Sequence, residues 1–261
     1  MVSLVALVMT GYYASACYTR GMTKRRVLVK ISGEQLKGEE SSGFDVARAT
    51  WIASEIQKAA NDAEIVMVVG GGNYVRGASM SNSAIGRVTA DHIGMLATIM
   101  NGLALADVFN STGLETRVLS TIKTDQIIDQ FTHRRAISHL DKGRVVIITG
   151  GIGRPYLTTD TATVSLALEL RCDLIIKATK VDGVYTRDPA VYPEAEKITQ
   201  LSLHDALQRP DIKVMDRAAL ALAADHHKAI TVCALLTPGA IARACAEDPT
   251  VGTRITPKPL A

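Results

Sequence analysis

From Val27 onward, short unbroken apolar runs alternate with longer stretches whose apolar residues recur at helical spacing. Val27-Leu28-Val29-Lys30-Ile31 is brief and β-branched, which predicts a strand ending at Ser32-Gly33. Between Asp45 and Ala60, the residues Val46, Ala49, Ile52, Ala53 and Ile56 fall on one side of a predicted helix. Ile65 to Val69 is a near-continuous apolar strand, cut off by Gly70-Gly71-Gly72. A Met-, Leu- and Ala-rich helix is expected from about Asp91 to Ser111, then a short strand from Thr116 to Leu119. Val145 to Thr149 is another buried strand and runs into Gly150-Gly151-Ile152-Gly153. A helix from Thr161 to Leu170, a strand from Leu174 to Ala178 and a loop from Val181 to Pro193 follow. Helical stretches are expected around Leu203 to Leu207, Ala218 to His226 and Gly239 to Ala246. Ile230 to Cys233 reads as the last central strand, and Thr253 to Ile255 as an edge strand. Unbroken apolar strands suit a parallel sheet covered on both faces. The expected class is therefore α/β, a three-layer α/β/α sandwich around a mostly parallel central sheet.

Composition narrows the chemistry. The 261 residues are 47% hydrophobic and 21% charged, enough for one large domain with a substantial core. A net charge of +3 gives no ground for a nucleic-acid surface. Cys17, Cys172, Cys233 and Cys245 form no C-x-x-C pair, so they read as small buried hydrophobes of a reducing compartment. No H-E-x-x-H occurs among the six histidines, and no metal site built from protein ligands is expected.

Val2 to Met9 is apolar but too short to span a bilayer, and it lacks the basic leader of a signal peptide. Residues 1–22 are expected to be an N-terminal extension, disordered or left by an upstream start with Met22 functional, and 23–261 a single domain.

Three predicted strands end in small residues: Ser32-Gly33, Gly70-Gly71-Gly72-Asn73 and Gly150-Gly151-Ile152-Gly153. Ligands of open α/β sheets sit beyond the carboxyl ends of strands. Glycine there lets backbone N–H groups converge on phosphate. The phosphate-binding plan is an unusual one. G-x-x-x-x-G-K-[ST], G-x-G-x-x-G, H-R-D, D-F-G and G-x-S-x-G are all missing. Lys30 lies inside an apolar strand next to the first turn, where a lysine is costly without an anion. Arg76 follows the second turn and could fork onto phosphate. Thr158-Thr159-Asp160 opens a helix, which suits an N-cap and an anion alike.

The segments Lys30-Ile31-Ser32-Gly33-Glu34, Gly70 to Gly77, Asp91-His92-Ile93-Gly94-Met95-Leu96-Ala97-Thr98, Lys177 to Pro189 and Lys213-Val214-Met215-Asp216 together resemble the bacterial UMP kinases of the amino-acid-kinase superfamily. The match runs from about Lys24 to Ile255 in the expected order. The resemblance implies transfer of the γ-phosphoryl group of ATP to UMP, with Mg²⁺ carried by ATP. Lys30, Ile31, Ser32, Gly33, Gly72 and Arg76 would hold the ATP phosphates, and Thr179, Tyr185 and Asp188 the adenosine end. UMP would meet Gly71, Asp91 and the run Ile152, Gly153, Arg154, Pro155, Tyr156, Leu157, Thr158 and Thr159, with Asp91 on its ribose. Asp160 and Asp216 would orient Lys30 and the substrates.

The likeness also implies a cytoplasmic enzyme, a homohexamer, and GTP or UTP as effectors. Ile152 and Arg154 stand where the family often has Thr and Asn, so only backbone contacts carry over there. Extra residues between Lys37 and Phe44 leave GTP control open. Two rivals remain: a kinase of acyl carboxylates such as acetylglutamate, and a non-catalytic nucleotide binder. Asp91 suits a ribose better than a carboxylate, and a binder would be expected to lack Lys30 or Asp216.

Overall fold

A computed structural model of the chain describes residues 24–75, 84–209, 211–212 and 214–257. The extension 1–22, with its Cys17, and also Arg76 and Lys213 lie outside the described residues. The strands are β1 (Arg25–Ile31), β2 (Ala63–Val69), β3 (Thr116–Ser120), β4 (Asp129–Gln130), β5 (Val145–Thr149), β6 (Leu174–Thr179), β7 (Val184–Tyr185), β8 (Lys197–Ile198), β9 (Gln200–Ser202), β10 (Ile230–Ala234) and β11 (Thr253–Thr256). The helices are α1 (Val46–Ala60), α2 (Arg87–Ser111), α3 (His133–Leu140), α4 (Thr159–Glu169), α5 (Leu203–Gln208), α6 (Arg217–Asp225) and α7 (Ala240–Cys245). A short 3-10 turn, Gly33–Lys37, follows β1.

The described residues form one nine-stranded sheet in the order β4-β3-β5-β2-β1-β6-β10-β11-β9, and β7 pairs with β8 in a separate hairpin. All neighbours are parallel except β10 and β11. Alternation along each strand sorts the core into two layers. Val27, Val29 and Ile31 pack with α1, α2 and α7, while Leu28 packs under α3, α4 and α6. Both faces are covered, as the unbroken apolar runs require. The architecture is the α/β sandwich with a mostly parallel sheet.

Several details differ from the sequence reading. Thr253–Thr256 is not an edge strand, because Gln200–Ser202 pairs along its outer side. The segment after Val181 contains half of the β7–β8 hairpin rather than loop alone. α2 begins four residues before Asp91. The last turn of α6 stops at Asp225, and His227 takes a left-handed φ of 52°.

β5, β2, β1 and β6 are consecutive in the sheet, so the turns after them share one edge. A buried amide pair fixes the middle turn. Asn101 Nδ2 donates to Gly70 O and Asn73 Oδ1, both at 2.7 Å, and Asn73 Nδ2 donates back to Asn101 Oδ1 and to Gly43 O, both at 2.8 Å. Gly33 packs so closely that a Cβ there would lie 2.7 Å from Gly72 N. Replacing Asn101 by Ala strands the Gly70 carbonyl and the Asn73 amide in a dry site. Urea unfolding of Asn101→Ala is expected to show a loss of about 3 kcal/mol.

Candidate active site

β1 and β6 run parallel with Lys30 in register with Lys177. Leu28 and Ile175, two residues before each lysine, pack in the layer under α4. Period-two alternation therefore turns both lysines toward α4. Lys30 is only 7% exposed, and two ammonium groups so placed need a counter-charge. The first turn of α4 meets them with one carboxylate. Asp160 Oδ1 lies 2.9 Å from Lys30 Nζ, and Oδ2 lies 2.8 Å from Lys177 Nζ. Lys177 also donates to the Val214 carbonyl. Burial pushes the Asp160 carboxyl up, but the Lys30 and Lys177 charges outweigh it and leave the pKa below the usual carboxylate value. Burial draws the Lys177 ammonium below its ordinary pKa; Asp160 opposes the fall and Lys30 deepens it.

Two helix N-termini converge on this bridge. Thr158 caps α4, its hydroxyl accepting from Asp160 N at 3.0 Å while donating to Asp216 Oδ2. Asp216 caps α6, accepting from Ala219 N at 2.9 Å and from Thr161 Oγ1 at 3.0 Å. The positive ends of both helix dipoles thus lie close together, an arrangement that favours anions.

A cavity of about 250 Å³ opens on the β2–β5 side. Gly71, Asp91, Ile152, Leu157, Thr158 and Thr159 all line it. A Cβ on Gly71 would come within 2.8 Å of Gly94 O, so α2 abuts the glycine turn. Thr98 Oγ1 accepts from Gly150 N at 2.8 Å and ties the other turn to the same helix. Gly153, Arg154, Pro155 and Tyr156 do not line the cavity. The Tyr156 ring is exposed and lies under the Arg87 guanidinium, while its N–H donates to Asp91 Oδ2 at 2.8 Å.

A second cavity, of about 550 Å³, lies beyond β6 and is lined by Val181, Tyr185, Arg187, Asp188 and Tyr192. The Thr179 hydroxyl is turned into its own loop, toward Val181. The Ile31 side chain is in the core, so only its backbone could face a ligand, whereas Ser32 and Gly33 stand at the turn after β1 and Gly72 at the turn after β2.

Residues 25–233 match the model of the amino acid kinase family. A uridylate kinase of Campylobacter concisus is 47% identical over 230 residues, covering 87% of this chain and 96% of the relative. The chain belongs to this family. Its relatives include a UMP kinase of Bacillus anthracis, whose solved structure is 38% identical with a TM-score of 0.85 and covers 90% of this chain and 97% of that one. A UMP kinase of Ureaplasma parvum is 33% identical with a TM-score of 0.83, covering 90% and 100% respectively.

Sequence reasoning missed three residues that the structure places at the bridge and the smaller cavity. Lys177 sits in an apolar strand just as Lys30 does, and that shared oddity was a usable signal. Arg87 precedes Asp91 by four residues, a pairing visible once the helix is started early enough. Thr161 offered no signal beyond its place in the first turn.

Asp160→Asn removes one partner of a buried charge cluster and is expected to cost about 3 kcal/mol at neutral pH by urea unfolding. The native pKa of Asp160 is depressed, so its stabilisation is present above the unfolded-chain value of about 4 and lost as pH falls through the native value. Acid titration of stability is therefore expected to be shallower in Asp160→Asn than in the wild type.

Proposed function

We propose that the chain transfers the γ-phosphoryl group of ATP to UMP, giving UDP and ADP, as a step of pyrimidine nucleotide biosynthesis. One observation carries this reading. The Lys30–Asp160–Lys177 bridge stands on β1 and β6; the Asp91 cavity reaches Thr158 and Thr159, next to Asp160, and the Tyr185 cavity is formed by the segment that follows β6. Two nucleotides lying tail to tail would bring their phosphates together at the bridge. The names of the uridylate kinase relatives support the choice of acceptor.

UMP takes the smaller cavity, with Asp91 toward its ribose and Gly71, Ile152 and Leu157 to Thr159 around it. Adenosine takes the larger one, against Tyr185 and Asp188 and near Thr179. The ATP phosphates lie over Ser32, Gly33 and Gly72, with Arg76 as a further cation. Lys30 neutralises charge on the transferring phosphoryl oxygens, and the glycine N–H groups hold them in line. Asp160 keeps Lys30 and Lys177 apart and aimed, while Asp216 fixes the N-terminus of α4 through Thr158 and Thr161. UMP brings an ionised phosphate oxygen as nucleophile, so no general base is needed.

Mg²⁺ enters with ATP in this reading. Among the described residues no three His, Cys, Asp or Glu side chains gather, and Asp160 and Asp216 are engaged by lysines and hydroxyls. That donor set fits a metal held chiefly by phosphate oxygens. When bound it would offset phosphate charge.

The enzyme is cytoplasmic and a homohexamer in this proposal, with GTP or UTP as effectors. Val88, Leu96 and Met100 form an exposed apolar stripe on α2 and support contact with a second copy. The domain proper is 23–261.

A coupled ADP-release assay offering UMP, CMP, UDP and acetylglutamate in turn tests the acceptor. Turnover with UMP is expected to exceed every other; a preference for acetylglutamate would refute the reading. Lys30→Ala is expected to lose about 1,000-fold in kcat while keeping its circular dichroism. Deleting Met1 to Gly21 is expected to leave turnover within twofold, measured in the same assay.

A further inference from the structure

Arg87, on the first turn of α2, has no part in the transfer described above, yet it lines the cavity assigned to UMP. Its Nε lies 2.9 Å from Asp91 Oδ1 and 2.8 Å from Oδ2, and its Cζ lies 5.2 Å from the centre of the Tyr156 ring. Asp91 Oδ2 also accepts the Tyr156 N–H. Three groups from two elements therefore close a ring of contacts: helix cation, helix carboxylate, and the backbone and ring of one loop residue.

That loop residue is held in an unusual way. Tyr156 has a φ of 67°, a conformation that residues with side chains seldom adopt unless their surroundings hold them there. The contacts on Asp91 and Arg87 are what hold it. A free surface ion pair contributes little, but the Asp91 side chain is only 14% exposed and also faces the cavity. A carboxylate has about four acceptor directions. Arg87 and the Tyr156 N–H leave room on Oδ1 for a hydroxyl donor.

We propose that Arg87 is a positioning residue for UMP: it grips Asp91 and stacks on Tyr156, clasping the loop after β5 to α2 around the nucleotide. This rests on the reading that UMP occupies this cavity. Arg87 acts through Asp91 and the loop rather than on the transferring group. Its loss loosens UMP and leaves ATP binding nearly untouched.

The test is UMP binding by calorimetry to the full chain without ATP, for wild type, Arg87→Met, Tyr156→Leu and the double variant, with steady-state kinetics alongside. Each single variant is expected to weaken UMP binding and raise its KM about tenfold, with the ATP KM within twofold and kcat falling less than threefold. The double variant is expected to lose no more than about tenfold, because both changes break one clasp. Arg87→Lys keeps the charge without the planar fork and is expected to lose about threefold. Hydrogen exchange at the Tyr156 amide is expected to speed up in Arg87→Met and Arg87→Lys.

UMP affinity of Arg87→Met within twofold of wild type overturns the inference, as do losses that multiply to about a hundredfold in the double variant. Should Arg87→Met fail to fold, Arg87→Lys and Tyr156→Leu decide by the same criteria. If the wild type binds no UMP at all, the functional reading itself fails. If it binds UMP and the variants match it, only the clasp is wrong.

Discussion

Two lysines on adjacent central strands, facing the same way, cannot both stay charged in a covered sheet without a shared anion. Lys30 and Lys177 are such a pair, and the Asp160 carboxylate bridges them. Asp160 answers both ammonium groups directly, and Asp216 acts on Lys177 from the neighbouring helix cap. Much of the surrounding structure keeps these charges in place. Thr158 and Asp216 fix the helix turn that carries Asp160, and Lys177 reaches the Val214 carbonyl two residues before Asp216. An arriving polyphosphate would find the cations already spaced and the carboxylate already positioned, with little reorganisation left to do.

The sheet sets where this happens. Because β5, β2, β1 and β6 are neighbours, the turns after them share one edge, with one cavity lined from the turns after β2 and β5 and another from the segment after β6. The Asn73–Asn101 amide pair and the Thr98 hydroxyl fasten two of those turns to α2 from behind. The Gly70 and Gly150 N–H groups are themselves spent on Ile31 O and the Thr98 hydroxyl, which leaves these turns on a backbone that cannot easily relax. A soft turn would lose the directionality that phosphate recognition requires.

Much of the fold could be read from the chain because its strands are short apolar runs ended by glycine, as at Val69-Gly70 and Thr149-Gly150. Lys30 was legible for the same reason: a charge inside such a run demands an explanation. Lys177 meets that criterion too, but its importance depends on lying beside Lys30, and strand register is not written in local pattern. The edge position of Gln200–Ser202 was hidden likewise, since three residues carry too little periodicity to announce a strand. The pattern of residues starts the helix near Asp91, where its Met-, Leu- and Ala-rich stretch begins, and so leaves Arg87 outside it. The family resemblance makes Tyr156 a ligand contact; in the structure its ring is exposed and its backbone N–H donates to Asp91. Which atom of a loop residue does the work is a tertiary fact.

The central claim is that one charged bridge joins the two nucleotide cavities. A bisubstrate compound, uridine and adenosine linked through a chain of phosphates, tests it most directly by titration calorimetry against UMP and ATP separately. If both cavities feed the same bridge, the linked compound should bind at least about 100-fold more tightly than either nucleotide, because the second cavity is filled intramolecularly. Affinity no better than that of the tighter single nucleotide would contradict the account.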